Sequence, residues 1–325
     1  MPTVAPLDLD GHCLFTRFIG GVPFFALADG TIHRLDNGHQ TSTAHDGLLS
    51  AKLTVDGKAL LTGGEDGRVC QTAADGTVTE LAKIPRKWIT AVASGPGGTV
   101  GFASGRMAWV RTSNGNVQEF VQERSVEGIA FAPKGQRLAI ARYNGATLIW
   151  TGTEAKPVEL EWKGAHIDVI FSPDGSFLVT SMQENALHGW RLEDTKHMRM
   201  TGYPAKVKDW SWSVKAKWLA TSGAPAAIVW PFAGKDGPMG KAPLELGLRA
   251  DSMVTSVACH PVEDITAIGY NDGMVLLVRF SDQKEVLLRR PGKGAISSMG
   301  WDDQGSRLAF GSETGDCGVI DMTTA

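Results

Sequence analysis

The residues of this chain that could bind a metal or move a proton are its histidines, cysteines and carboxylates, and their spacing decides what chemistry is open to them. The histidines are His12, His33, His39, His45, His166, His188, His197 and His260, and none forms an HxH or HExxH arrangement. Without ligand spacing, a structural or solvent-exposed role is expected of them, and no metal site. Cys13, Cys70, Cys259 and Cys317 form no CxxC pair, so zinc and dithiol redox motifs find no support. Asp8-Leu9-Asp10-Gly11 begins like a calcium loop, but the further oxygen ligands and the closing glutamate are missing, and it reads as a turn. Gly237-Pro238-Met239-Gly240-Lys241-Ala242 is partly like a phosphate loop. Lys235 stands where the first glycine belongs, and Ala242 replaces the hydroxyl residue. No GxSxG occurs, and the pairs Glu193-Asp194 and Asp302-Asp303 read as solvated surface. No catalytic constellation and no cofactor is expected.

The elements around these residues are short and regular. Between Lys163 and Tyr203, three apolar runs (168–171, 177–181 and 186–190) are separated by Pro173-Asp174-Gly175 and by Gln183-Glu184-Asn185. Each run is too short for a helix and is bounded by turn residues, so each is a strand. The same grammar recurs along the chain. Turns fall near Gly21, Gly57, Gly98, Gly135, Gly175, Ala216, Asp264 and Gly305, at intervals of 36 to 48 residues. That period fits a four-stranded propeller blade of ~40–45 residues. Segments rich in β-branched and aromatic residues and punctuated by glycine disfavour helical repeats. A more polar fourth strand follows most units, as at 77–82, 116–121, 156–161 and 285–288. An outermost strand with one solvent face accounts for that weaker pattern.

The expectation is therefore an all-β propeller of four-stranded blades forming one domain over residues 1–325. Eight blades are predicted, with seven as the alternative. The last unit has no fourth strand of its own, and the run 3–9 can complete it and close the ring, removing two open edges. The longest interval is explained by a polar Gly/Pro-rich insertion at 234–243, read as a mobile rim loop.

Composition sets the remaining bounds. The chain of 325 residues has 32 basic and 35 acidic side chains and a net charge of -3, which argues against nucleic-acid binding by bulk charge. No apolar run approaches the ~20 residues of a membrane helix. The first residues lack a basic region followed by an apolar run, so no secretory signal is expected. Cysteines without pairing motifs fit reduced thiols and a cytoplasmic protein.

Phe171-Ser172-Pro173-Asp174-Gly175, Phe131-Ala132-Pro133-Lys134-Gly135, the turns Asp29-Gly30, Asp66-Gly67, Asn144-Gly145 and Asp272-Gly273, and the evenly spaced Trp150, Trp190 and Trp230 together carry a resemblance. Across its whole length the chain resembles the WD40-repeat β-propellers. It departs from them consistently: the residue after each of those tryptophans is Thr151, Arg191 or Pro231, never aspartate. The family's internal Asp–His–Ser/Thr–Trp network is thus incomplete in every unit. The fifth comes nearest, with His166, Ser181 and Trp190, and Glu184 in the acid's place.

The resemblance implies a scaffold that binds a protein or peptide on one rim. There the loops leading into the innermost strands meet the turns between second and third strands. Mapped onto this sequence, the rim includes Trp88, Arg124, Arg142, Tyr143, His166, Gln183, Lys206, Lys208 and Tyr270, with Glu65, Arg106, Glu127, Asp168, Glu184 and Ser252 beside them. Trp88 and Tyr143 are the aromatic anchors expected of such a rim, the alternative for Trp88 being a place packed between neighbouring blades. Arg124, Arg142, Lys206 and Lys208 read first as ordinary solvated charges; as one basic sector they would instead favour an acidic partner. The competing reading is a propeller enzyme with a small-molecule or metal site in the central channel. A nucleic-acid-associated subunit is a third reading, disfavoured by the acidic balance.

Overall fold

The computed structural model describes residues 3–323, and its regular structure is thirty β-strands and two short 3-10 segments. β1 (Thr3–Asp8) precedes β2 (Cys13–Ile19), β3 (Val22–Leu27), β4 (Thr31–Leu35) and β5 (His39–Thr43), which form one sheet. The next two sheets are β6 (Leu48–Leu53), β7 (Ala59–Gly64), β8 (Arg68–Ala73) and β9 (Val78–Lys83), then β10 (Ala91–Ser94), β11 (Val100–Ser104), β12 (Met107–Arg111) and β13 (Val117–Val121). A six-stranded sheet follows: β14 (Val126–Phe131), β15 (Arg137–Trp150), β16 (Val158–Phe171), β17 (Phe177–Met182), β18 (Ala186–Arg191) and β19 (His197–Met200). β20 (Trp210–Trp212), β21 (Trp218–Thr221), β22 (Ala227–Pro231) and β23 (Leu244–Leu246) form the fifth sheet. β24 (Val254–Cys259), β25 (Ile265–Tyr270), β26 (Val275–Arg279) and β27 (Glu285–Arg289) form the sixth. In the last, β28 (Ile296–Trp301), β29 (Arg307–Ser312) and β30 (Asp316–Asp321) are joined by β1, which pairs antiparallel with β30 from Val4↔Ile320 to Asp8↔Asp316.

The prediction of eight blades is corrected by this sheet order, which contains seven hydrogen-bonded sheets, not eight. The fourth and fifth repeat units do not separate. β15 and β16 are each 14 residues long and serve both. The first half of β15 pairs with β14, its second half with the first half of β16, and the second half of β16 with β17. Tyr143↔Ala165 extends the pairing past the Asn144 turn, so no gap opens between the two units.

The chain divides into two compact units, residues 1–28, 32–40 and 203–325, and residues 29–31 and 41–202. In the second, the middle strands are buried on both faces: every residue of β7, β17 and β18 is buried, whereas β13 is almost wholly exposed. This is why the middle strands read as unbroken apolar runs and the outer ones do not. Side chains of neighbouring sheets interdigitate, as where Leu61 and Val69 meet Ile89, Val92 and Phe102. The Ser50 hydroxyl also accepts the Val92 N–H at 3.1 Å.

The first unit is built likewise. Ala227, Val229 and Leu246 pack with Val257, Ile268 and Val278. Ser211 accepts the Cys259 N–H and Ser298 the Thr16 N–H, both at 2.9 Å. The insertion at 234–243 carries successive turns: Gly237 N–H reaches Gly234 O at 3.2 Å, and Lys241 N–H reaches Pro238 O at 3.1 Å.

Candidate functional site

Within residues 41–202, one recurring device sets the surface loops. The segment leading into an innermost strand is pinned onto the turn between second and third strands. Ile84 N–H donates to Gly67 O at 2.9 Å and Ile89 N–H to Gly64 O at 3.0 Å, so the loop between them is held at both ends. Gln122 and Val126 donate to Arg106 O at 2.8 Å and Gly105 O at 2.7 Å in the same way. At the next position Gly164 N–H meets the Asn144 side chain at 3.2 Å, and Gln183 N–H meets Ala165 O at 2.9 Å. The pairing of loops and turns assumed from the sequence is therefore present.

Of the residues mapped to the rim, Trp88 (59% exposed) and Tyr143 (48%) stand out in solvent as large aromatics. Arg124 and Gln183 are exposed as well. Arg142 is drawn inward, with its guanidinium paired to Glu159 and hydrogen bonded to Thr147 Oγ1 and Tyr143 O, each at 3.0 Å. In the other unit Lys208 is exposed and Lys206 half-buried.

Two assignments are corrected. His166 and Tyr270 are each 0% exposed and have no surface to offer a partner. Tyr270 turns its hydroxyl inward to Gly247 O, and burial pushes its pKa up. His166 is sequestered by Thr180 Oγ1 at 2.7 Å and Trp162 O at 2.9 Å.

The surface around Tyr143 and Asn144 is concave on both sides. One hollow, of about 780 Å³, is lined by Tyr143, Trp162, Met182, Glu161, Glu184 and Arg199 among others. The second, about 410 Å³, includes Val121, Arg124, Arg142, Tyr143 and Glu159. Both are open and mixed in charge. Trp162 and Arg199 were missed in the sequence; Trp162 lies just beyond the expected fourth strand, and an aromatic there was the available signal.

Histidine and threonine build the interior. His45 Nδ1 lies 3.0 Å from Asp66 Oδ1 and its Nε2 2.9 Å from Thr62 Oγ1. Burial lowers the His45 pKa against the pull of Asp66. The neutral ring donates from Nδ1 to the carboxylate and accepts the Thr62 hydroxyl. His166 takes the other tautomer, since Nε2 faces a carbonyl and must donate. Glu184, placed from the sequence as its acidic partner, accepts the Ala165 N–H at 3.0 Å instead, and Thr180, not Ser181, is its hydroxyl partner. Beside it, His188 is fully buried with neither ring nitrogen hydrogen bonded. It stacks on Trp162 at 4.1 Å, and burial lowers its pKa to about 3. Cys13, Cys70 and Cys317 are buried free thiols, and burial pushes Cys70 up to about 11. No group of three or more metal-ligating side chains occurs among the described residues, and no described helix is long and apolar enough to cross a membrane.

Comparison with known proteins bears on this architecture. A family model described as the anaphase-promoting complex subunit 4 WD40 domain matches residues 257–325. WD repeat-containing protein 55 of Homo sapiens is 24% identical over 207 residues, covering 61% of this chain and 52% of that protein. The Rattus norvegicus protein of the same name matches equally, so the chain spans about half the length of the curated relatives it matches. Among solved structures, the C-terminal WD40 domain of Sif2 superposes with a TM-score of 0.77 at 12% identity, covering 98% of each chain. The computationally designed Ika8 protein does so with a TM-score of 0.75 at 18% identity, covering 97% of each. Together with the phased turns and the antiparallel sheets, these likenesses support a kinship with the WD40-repeat proteins.

Proposed function

We propose that this chain is a non-catalytic scaffold that binds a protein or peptide partner at the loop-and-turn surface of residues 41–202. The observation that carries it is the exposed Tyr143, held on a pinned turn between two hollows. Trp88, a second exposed aromatic, stands on another loop pinned in the same way. A large apolar ring left in water gains nothing for the fold, whereas in a partner's pocket it becomes an anchor. Hollows of this openness suit a chain segment laid across them better than an enclosed small molecule. The matched family description names a subunit of a multiprotein complex, a role of the same kind.

The test is affinity purification with quantitative mass spectrometry, comparing wild type with Trp88→Ala and Tyr143→Ala. Specific partners should be captured by wild type and depleted with each variant. Equal recovery by all three would remove this surface from the interaction.

A further inference from the structure

We infer that the Pro85–Trp88 loop, with Arg106 and Arg124, docks an acidic peptide segment, its carboxylates on the cations and an apolar side chain on Trp88. This rests on the scaffold reading and adds the chemistry of the partner.

The loop is a β-turn closed by Lys87 N–H to Ile84 O at 3.3 Å. Its third residue is Arg86, at φ 59, in the position where such a turn favours glycine or asparagine. A left-handed non-glycine residue is strained. Glycine would relieve that strain, so the arginine is held there at a cost to the fold. Among the described residues, no hydrogen bond or ion pair of the Arg86 side chain offsets that cost. Arg86, Lys87 and Trp88 are all exposed. Among the described residues, no ion pair or side-chain hydrogen bond is made by Arg86, Lys87, Arg106 or Arg124. Arg142, by contrast, is neutralised by Glu159.

The four cations belong to one end of the β10–β13 sheet and the strand beside it. Trp88 leads into that sheet's first strand. Arg106 lies in its second turn, and Arg124 sits in the loop that Gln122 and Val126 pin onto that turn. Exposed, unpaired guanidinium groups at the same end of the sheet as an exposed indole fit carboxylates spaced around an apolar residue. A nucleic acid fits less well. Exposed Glu123 and Glu127 flank Arg124 and would face a continuous run of phosphates, whereas a peptide can present its charges at intervals.

The experiment is fluorescence anisotropy on the full chain at low salt. Three labelled probes are used: a peptide alternating glutamate and leucine, its lysine counterpart, and oligothymidylate. Wild type should bind the acidic peptide above the other two. The Arg86→Gly/Arg106→Gln pair should weaken that binding about tenfold, as expected for the loss of two ion pairs. Arg86→Gly alone should leave the melting temperature unchanged or higher, which separates lost binding from lost folding. Equal binding of both peptides, no effect of the pair, or a preference for oligothymidylate overturns the inference. Cellular partners lost with Tyr143→Ala but still captured by the Arg86/Arg106 pair would overturn it too while leaving the scaffold reading in place. Absence of specific partners for wild type would count against the scaffold itself.

Discussion

Tyr203 accepts the indole N–H of Trp230 at 2.7 Å and stands 2.7 Å from Thr221 Oγ1, occupying the place that histidine takes in the fifth repeat unit. Thr221 in turn donates to Ile228 O at 2.8 Å. The three hydroxyl and indole protons therefore run in one direction, from Trp230 through Tyr203 and Thr221 to a strand carbonyl. Burial pushes the Tyr203 phenol up to about 12, so it stays protonated and able to donate. Tyr203→Phe keeps the ring but orphans a buried indole N–H. A loss of about 1–3 kcal/mol is expected in urea unfolding, with no change in sheet content by circular dichroism. A loss below the error of the measurement would mean that water replaces the phenol.

His188 makes the opposite prediction. Its folded pKa of about 3 lies below the unfolded value of about 6.5. The unfolded chain binds the extra proton in that window. The stability tied to neutral His188 is thus complete above about pH 6.5 and falls as pH drops toward 3, by up to about 1.4 kcal/mol per pH unit. His45 and His166, also lowered by burial, act in the same direction. His188→Phe retains the stacking on Trp162 and removes two unsatisfied nitrogens. It should be as stable as wild type or more so at pH 7, with a shallower acid limb in denaturation midpoints measured against pH. An unchanged slope would assign the acid limb to other groups.

Strand positions were legible in the sequence because middle strands buried on both faces leave continuous apolar runs, as at 59–63 and 177–181, between glycine turns. The number of sheets was not. Whether two hairpins share hydrogen bonds depends on the backbone pairing of Tyr143 with Ala165, which no side-chain pattern encodes. Exposure of Tyr143 followed from its expected place between second and third strands, whereas for Trp88 the sequence left exposure and packing between blades equally open, and the structure exposes it. The burial of His166 and Tyr270 did not, because each lies at the very end of a strand pairing, where a single residue's step moves a side chain from rim to interior. Tyr203 carries no such signal in the sequence, because a phenol there replaces the histidine of the motif while doing the same hydrogen bonding.

Trp88 and Tyr143 carry a prediction about what they do not do. Exposed side chains make few contacts in the fold, so Trp88→Ala and Tyr143→Ala should each shift unfolding free energy by no more than about 0.5 kcal/mol. Chemical denaturation checks this. A loss above about 2 kcal/mol in either variant would identify that residue as structural and withdraw it from the binding surface.

β1 completes the last sheet, where Leu7 packs against the cluster of Leu9, Cys13, Phe25 and Cys317, and Val4 against that of Phe310 and Ile320. Leu9 N–H is further tied to Gly315 O at 2.8 Å. Removing residues 1–8 would bare the β30 edge, whose Cys317, Gly318, Val319 and Ile320 are buried with the strand in place. An apolar strand with unpaired backbone groups is a template for pairing with another chain. The truncated protein should unfold at lower denaturant concentration and form concentration-dependent oligomers in light scattering. Adding a synthetic peptide of residues 1–8 should reverse the association, because it pairs in the vacated place. Oligomers that persist at saturating peptide would show that the association has another origin than the open β30 edge.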